Sequence, residues 1–358
     1  MLLDEIKRLL SHYRTQQRFD QEYKLLLQEQ KNFPNDPYIN ERLEWHKKPI
    51  FHRNPEQSQS QPRPAIHLPR IPGFIPTDET LSKLCFVTGV SSNHPYFELA
   101  IQLLESIKAT LYYKSIPIKI LDCGLTLEDA TYLTQRFNAE VKDPGWDVSE
   151  SLLRVKSSYW KIPASGYKGI ISRPYIHKHF PGFEYYYWMD ADTWIQSELG
   201  LDQLIKMAET HGLGVFNHPL HQTWKRRSTH FGYTLPDYCH FDPNTKAILG
   251  GHYCISVQMS KRYAQLCDRL ISEKKQYSWG FDLASLNYFY YHDAKIPAPI
   301  LDREDLFYIP YHASCPAEIK DGALYHKGDL IKIIDIGPFK GILPQLQYRT
   351  PINTGIPF

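Results

Sequence analysis

Phe183-Glu-Tyr-Tyr-Tyr-Trp-Met-Asp190-Ala-Asp192-Thr-Trp-Ile195 is the stretch on which the fold of this chain turns. An aromatic run and a Met lead directly into two carboxylates separated by one small residue. The apolar part has the length and aromatic bias of a buried strand, where side chains alternate between faces. At the end of such a strand Asp190 and Asp192 project to the same side. Two carboxylates held together repel unless a cation lies between them, so the pair reads as a hard-metal site with oxygen ligands. Ala191 leaves room for a ligand. The alternative is a strand running into a solvated Asp-rich turn.

The whole chain narrows the field. Its 358 residues allow one large domain or two modest ones. Lys+Arg 41 against Asp+Glu 39 give a net charge of +2, too little to hold a polyanion by bulk charge, which argues against nucleic acid as partner. Tyr is abundant, 25 residues within 14% aromatics, and suits stacking on sugar rings or bases as well as an aromatic core. No apolar run reaches the roughly 18 residues of a membrane span, and Met1-Leu-Leu-Asp-Glu5 lacks a basic leader and a cleavage site. The expectation is a cytoplasmic protein with no transmembrane span, peripheral to a membrane at most. Cys85, Cys123, Cys239, Cys254, Cys267 and Cys315 include no C-x-x-C pair and read as reduced thiols rather than a disulfide framework or zinc site.

Residues 1–47 show helical spacing in blocks. Leu2, Leu3, Ile6, Leu9, Leu10 and Tyr13 form one, and Phe19, Tyr23, Leu26 and Leu27 a second; Tyr38 to Trp45 allows a third helix after a Pro34-Asn-Asp-Pro37 turn. The pattern looks like a single tetratricopeptide-type unit. One unit cannot bury its own apolar face, so it must dock on the rest of the chain or on a protein partner. Residues 48–76 are proline-rich with a Gln/Ser patch, an extended linker.

A globular domain is expected over 77–358. Leu84 to Val90 is a strand, Pro95 to Tyr113 a helix, Ile116 to Leu121 a strand, a helix capped by Thr126 follows, and Ala139 to Lys142 is a third strand. This alternation means a parallel sheet with right-handed crossovers and ligands at the carboxyl ends of the strands. A dinucleotide-binding glycine fingerprint is absent after the first strand. Ile170 to Phe180 reads as a helix bearing Arg173 near its start, and Leu199 to Thr210 as another, followed by a strand at Gly214 to Phe216. Residues 217–241 are a basic, aromatic loop. An apolar segment holding Gly250-Gly251 leads to a helix from Lys261 to Lys274, then Trp279-Gly-Phe-Asp282 opens one more. Tyr308 to Ile336 is strand-rich and contains Tyr325-His326-Lys-Gly328.

This assembly resembles a nucleotide-sugar glycosyltransferase of the GT-A type, with flavour nearest the retaining family that includes glycogenin and lipopolysaccharide galactosyltransferases (glycosyltransferase family 8). The resemblance spans about residues 84–335 and rests on Phe86-Val-Thr-Gly89, the Arg-bearing helix, the Asp-x-Asp, Gly250-Gly251, the helix opened by Asp282 and the late His326. It implies an α/β fold with a Rossmann-like, mixed but mainly parallel sheet flanked by helices. It further implies a Mn2+ or Mg2+ cofactor and a nucleotide-sugar donor, a UDP-sugar foremost, with a glycan, lipid or protein acceptor. By the same resemblance Val87, Thr88, Gly89, Lys168, Arg173, Asp190, Ala191, Gly250 and Gly251 contact the donor. Asp190, Asp192 and His326 hold the metal, and Asp282 stands at the reaction centre. The chain departs from the family pattern at three points. The Asn before Gly250-Gly251 is missing, Leu283 stands where a Gln follows Asp282, and Gly328 comes one residue early after His326.

The chemistry asks for little more. A nucleoside diphosphate leaves once its charge is neutralised by a divalent ion and Lys/Arg. A sugar-orienting acceptor or general base at Asp282 completes the set. Two rivals stand beside this reading. A haloacid-dehalogenase-type phosphatase also places Asp-x-Asp after an apolar strand, but it wants Thr or Val where Trp194 stands and a strand that opens the domain. A sugar- or nucleotide-binding protein on a degenerate transferase fold is the non-catalytic alternative.

Overall fold

The computed structural model describes residues 19–40, 43, 75–93, 96–154, 166–217, 248–274, 277–278, 281–296, 300–301, 307–308, 317–320, 323–326, 329–330 and 332–335. The first N-terminal helical block, the proline-rich linker up to residue 74, the basic loop after residue 217 and Gly328 lie outside them. Helix α1 (Phe19–Asn32) belongs to the second N-terminal block. Its Leu26 packs with Ile39 and Leu43 in a small apolar cluster. A hydrogen bond from Gln30 Nε2 to Asn40 Oδ1 (3.1 Å) spans the proline turn.

The alternating half follows its sequence pattern closely. After the short α2 (Asp78–Ser82) come β1 (Leu84–Val90), α3 (Tyr96–Lys108), β2 (Ile118–Asp122), α4 (Leu127–Phe137) and β3 (Glu140–Lys142). Thr126 caps α4 by accepting the Asp129 N–H at 3.1 Å. Asn138 closes that helix in the left-handed region at φ 52. β1, β2 and β3 pair in parallel. β4 (Leu153–Arg154) then leads towards the segment that carries Arg173.

That segment is not the single helix its periodicity predicts. Pro174 has no N–H and disfavours helical backbone in the residue before it. The chain accordingly breaks into α5 (Gly166–Ser172), a 3-10 turn at Arg173–Tyr175 and α6 (Ile176–His179). The aromatic stretch forms β5 (Tyr185–Met189), parallel to β1 with Val87 opposite Trp188. β6 (Thr193–Ile195), α7 (Glu198–His211), β7 (Leu213–Asn217), β8 (Ile248–Ser256), α8 (Val257–Lys274), β9 (Tyr277–Ser278) and α9 (Phe281–Tyr288) follow. The principal sheet runs β3-β2-β1-β5-β8-β7, with β8 antiparallel to both neighbours. It is therefore mixed and mainly parallel, flanked by helices, the architecture the resemblance implies.

The core lies on both faces of β5. Tyr186, Tyr187, Trp188 and Met189 are buried, as are Phe86, Val215, Tyr253 and Cys254 on other strands of the sheet. Such near-continuous apolar runs are the signature of strands covered on both faces. The remaining strands, β10 (Phe307–Tyr308), β11 (Ala317–Lys320), β12 (Ala323–His326), β13 (Asp329–Leu330) and β14 (Ile333–Asp335), make smaller sheets. β14 pairs with β6, so the C-terminal part returns to the segment just after the Asp-x-Asp. Gly200 on α7 makes room for this return: a Cβ there would meet Ile333 Cδ1 at 2.7 Å. Among the described residues, no helix is long and apolar enough to cross a membrane.

Candidate active site

Arg173 is the centre of the site. One guanidinium nitrogen donates to Asp190 Oδ1 and the other to Asp282 Oδ2, both at 2.5 Å. The guanidinium also lies over the Trp188 ring, 5.1 Å from its centroid. Trp188 Nε1–H donates to the same Asp190 oxygen at 2.9 Å. The site thus joins a 3-10 turn, the end of β5 and the first turn of α9. Side-chain exposure is 13% for Arg173, 28% for Asp190 and 8% for Asp282. A cation this enclosed is held only because its carboxylates are equally close. The fork geometry of Arg lets one side chain bridge two acids, which Lys cannot do with a point charge.

The carboxylate pair sits differently from the strand-end picture. β5 ends at Met189, so strand alternation does not govern Asp190 and Asp192. Asp190 N–H donates to Gly251 O at 2.8 Å and Asp190 O accepts the Thr193 N–H at 3.1 Å. These bonds close a turn that sends β6 out of the main sheet. Asp192, on that turn, is buried. The charge of Asp190 has a neutralising partner that the sequence did not reveal, the distant Arg173. Asp282 lies within the first turn of α9. Its carboxylate faces Arg173, while its carbonyl accepts Tyr263 Oη–H at 2.7 Å.

The other expected donor contacts fall in two groups. Gly250 and Gly251 belong to the cluster. Gly250 O lies 3.4 Å from an Arg173 guanidinium nitrogen. A Cβ on Gly251 would stand 2.6 Å from Asp190 Oδ2, and one on Gly250 would meet Leu283 Cδ1 at 3.0 Å. Gly89 faces the same side of the sheet: a Cβ there would lie 3.2 Å from Cys123 Sγ, 3.4 Å from Gly169 Cα and 3.6 Å from Trp188. Ala191 is buried beside the turn. Val87 and Thr88 are both buried, and alternation turns Thr88 to the face opposite Gly89. Lys168 is engaged elsewhere, its Nζ on Asp143 Oδ1 at 2.8 Å. His326 lies on β12, its backbone opposite Ala317 and Asp329 in a sheet that shares no strand with β6; its side chain is outside the described residues. β14 instead sets Asp335 opposite Thr193, the residue after Asp192, a placement that sequence reasoning missed.

The donor chemistry of Asp190 and Asp192 suits a hard divalent cation. Among the described residues no group of three or more His, Cys, Asp or Glu is arranged to hold a metal. A protein share of one or two carboxylates, completed by substrate phosphates and water, is the usual arrangement for Mg2+. Other titratable groups near the sheet are kept neutral. Burial pushes the Cys123 thiol up to about 12 and the His252 imidazole down to about 3.

No protein-family model matches this chain, and no curated protein does. Solved structures do. The galactosyltransferase LgtC in complex with donor and acceptor sugar analogues is 12% identical over 71% of this chain and 87% of that one, with a TM-score of 0.42. The apo WbbM bifunctional glycosyltransferase is 13% identical over 75% of this chain and 50% of that one, with a TM-score of 0.48. Apo mouse xyloside xylosyltransferase 1 is 12% identical over 71% and 97%, with a TM-score of 0.46.

Proposed function

We propose that this chain is a metal-dependent glycosyltransferase. It moves a sugar, foremost a hexose, from a nucleoside-diphosphate sugar to a hydroxyl of a glycan, a lipid-linked saccharide or a protein. The donor is foremost a UDP-sugar. The observation that carries the reading is the bridge Arg173 makes between Asp190, at the carboxyl end of a parallel strand, and Asp282, at the start of α9. Ligands of open α/β sheets bind at that end.

Asp190 and Asp192 would hold Mn2+ or Mg2+, with His326 as the third ligand by resemblance. When bound, that ion supplies charge neutralisation for the departing diphosphate. Arg173 adds a fixed positive charge close by and costs no reorganisation during reaction. Asp282, oriented by Arg173, accepts a hydrogen bond from a sugar hydroxyl and fixes the sugar relative to the bond that breaks. Gly250 and Gly251 let the backbone of β8 lie close against Leu283 and the Asp190 carboxylate.

The test is calorimetry and thermal shift with UDP, GDP, CMP and dTDP sugars, with and without Mn2+. One nucleotide should stabilise the protein only when metal is present, and Asp192→Ala should weaken that binding about tenfold or more, the usual penalty for disturbing a metal site. Unchanged nucleotide affinity in Asp192→Ala or in EDTA would overturn the metal-dependent reading. Hydrolysis of a generic phosphomonoester would favour the phosphatase instead.

A further inference from the structure

The loop after β3 is tied to the segment carrying Arg173 at two places. At its rim Asp143 pairs with Lys168 at 2.8 Å. Deeper in, a single oxygen of Asp147, Oδ2, accepts the Ser172 Oγ–H at 2.7 Å and pairs with His179 Nε2 at 2.7 Å. Ser172 is fully buried, and the side chains of His179 and Asp147 are 9% and 10% exposed. Ser172 directly precedes Arg173, and His179 ends α6. One carboxylate oxygen therefore spans the break that Pro174 makes in the helix. The opposite flank is held from elsewhere: Tyr253 Oη–H donates to Arg173 O at 3.3 Å and Ser260 Oγ–H to Pro174 O at 3.4 Å.

A 3-10 turn next to a proline has few bonds of its own and poor geometry, so its direction depends on such outside contacts. A buried carboxylate is costly unless it is fully engaged, and here its bonds fall on both sides of one turn. We propose that Asp147 is a positioning residue for Arg173. Through Ser172 and His179 it sets the direction of the turn from which the guanidinium reaches Asp190 and Asp282. Its effect on ligand binding rests on the function proposed above; its effect on Arg173 does not.

The test uses the full chain and two readouts. Arg173 guanidinium signals in nitrogen-15 NMR, assigned by their loss in Arg173→Lys, report the bridge without any ligand. Asp147→Asn, which keeps an acceptor for Ser172 but removes the charge, should shift or broaden them, and Asp147→Ala should do so more strongly. Calorimetry with UDP and Mn2+ gives the second readout. Asp147→Asn should weaken affinity about tenfold, and that loss should vanish in an Arg173→Ala background, because residues acting through one another are not additive. Should Asp147→Ala fail to fold, Ser172→Ala removes one of the two bonds and carries the same expectation. Unchanged Arg173 signals in the folded Asp147 variants would overturn the proposal, as would an affinity loss that persists in Arg173→Ala. If the wild-type chain binds no UDP, the functional reading fails while the NMR comparison still decides the role of Asp147.

Discussion

Gly251 has no side chain because Asp190 stands where one would be. A Cβ there would lie 2.6 Å from Asp190 Oδ2, and the backbone oxygen of Gly251 accepts the Asp190 N–H at 2.8 Å. The carboxylate could swing clear only by loosening its bonds to Arg173 and Trp188. Gly251→Ala should therefore misplace Asp190 and lower nucleotide affinity about tenfold or more, since displacements near 1 Å at a site are costly. Isothermal calorimetry with UDP and Mn2+ checks this. A variant that binds as tightly as the wild-type chain would show that the contact relaxes harmlessly.

Arg173 is expected to matter for stability as well as for binding. Removing it leaves the buried Asp282 and the partly exposed Asp190 without their bridging cation; the cost is about 3–5 kcal/mol for fully buried pairs and smaller here, where water screens Asp190. Arg173→Ala should move the urea midpoint accordingly. Arg173→Lys should fall between, because one ammonium cannot serve Asp190 and Asp282 with two directed bonds. Equal midpoints for all three chains would mean that the bridge contributes nothing in solution.

A C-terminal contribution to the metal is tested at His326, which pairs through its backbone within β11-β12-β13. If it completes the ligand set that the resemblance implies, His326→Ala raises the Mn2+ concentration needed for nucleotide binding about tenfold. An unaltered Mn2+ requirement in that variant would remove His326 from the set.

Acid should destabilise the fold through His252. Burial lowers its pKa from 6.5 to about 3, and its Nε2 lies 2.8 Å from Tyr187 Oη. Above pH 6.5 neither the folded nor the unfolded form is protonated there, and this contribution is complete. As pH falls towards 3 the unfolded chain takes up a proton that the folded chain refuses, and stability drops by up to about 1.4 kcal/mol per pH unit. His177, lowered to about 4 chiefly by burial, adds a loss of the same sign between 6.5 and 4. Urea titrations from pH 7 to pH 4.5 should show the slope, and His252→Gln should flatten it. An unaltered slope in that variant would remove His252 as the cause.

The sequence by itself determined the parts that depend on neighbouring residues. The aromatic composition of 183–189 was enough to specify a buried strand, the strand and helix periods of 84–142 the parallel half, and Thr126 the start of its helix. Asp190 and Asp192 were legible as candidates from their residue type and spacing, and Arg173 and Asp282 only through the family resemblance. Only the tertiary structure decided how they combine. The pairing of Arg173 with Asp282 joins residues 109 positions apart, and it exists because β8 inserts antiparallel beside β5 and brings α9 against the end of that strand. Periodicity reports which face of an element is apolar, but it carries no information about strand order. The turn at Asp190 was likewise settled by a bond to a distant partner, Gly251, while the proline break, local in origin, is flanked by bonds to Asp147 and from Tyr253. Those partners become neighbours only when the sheet has formed.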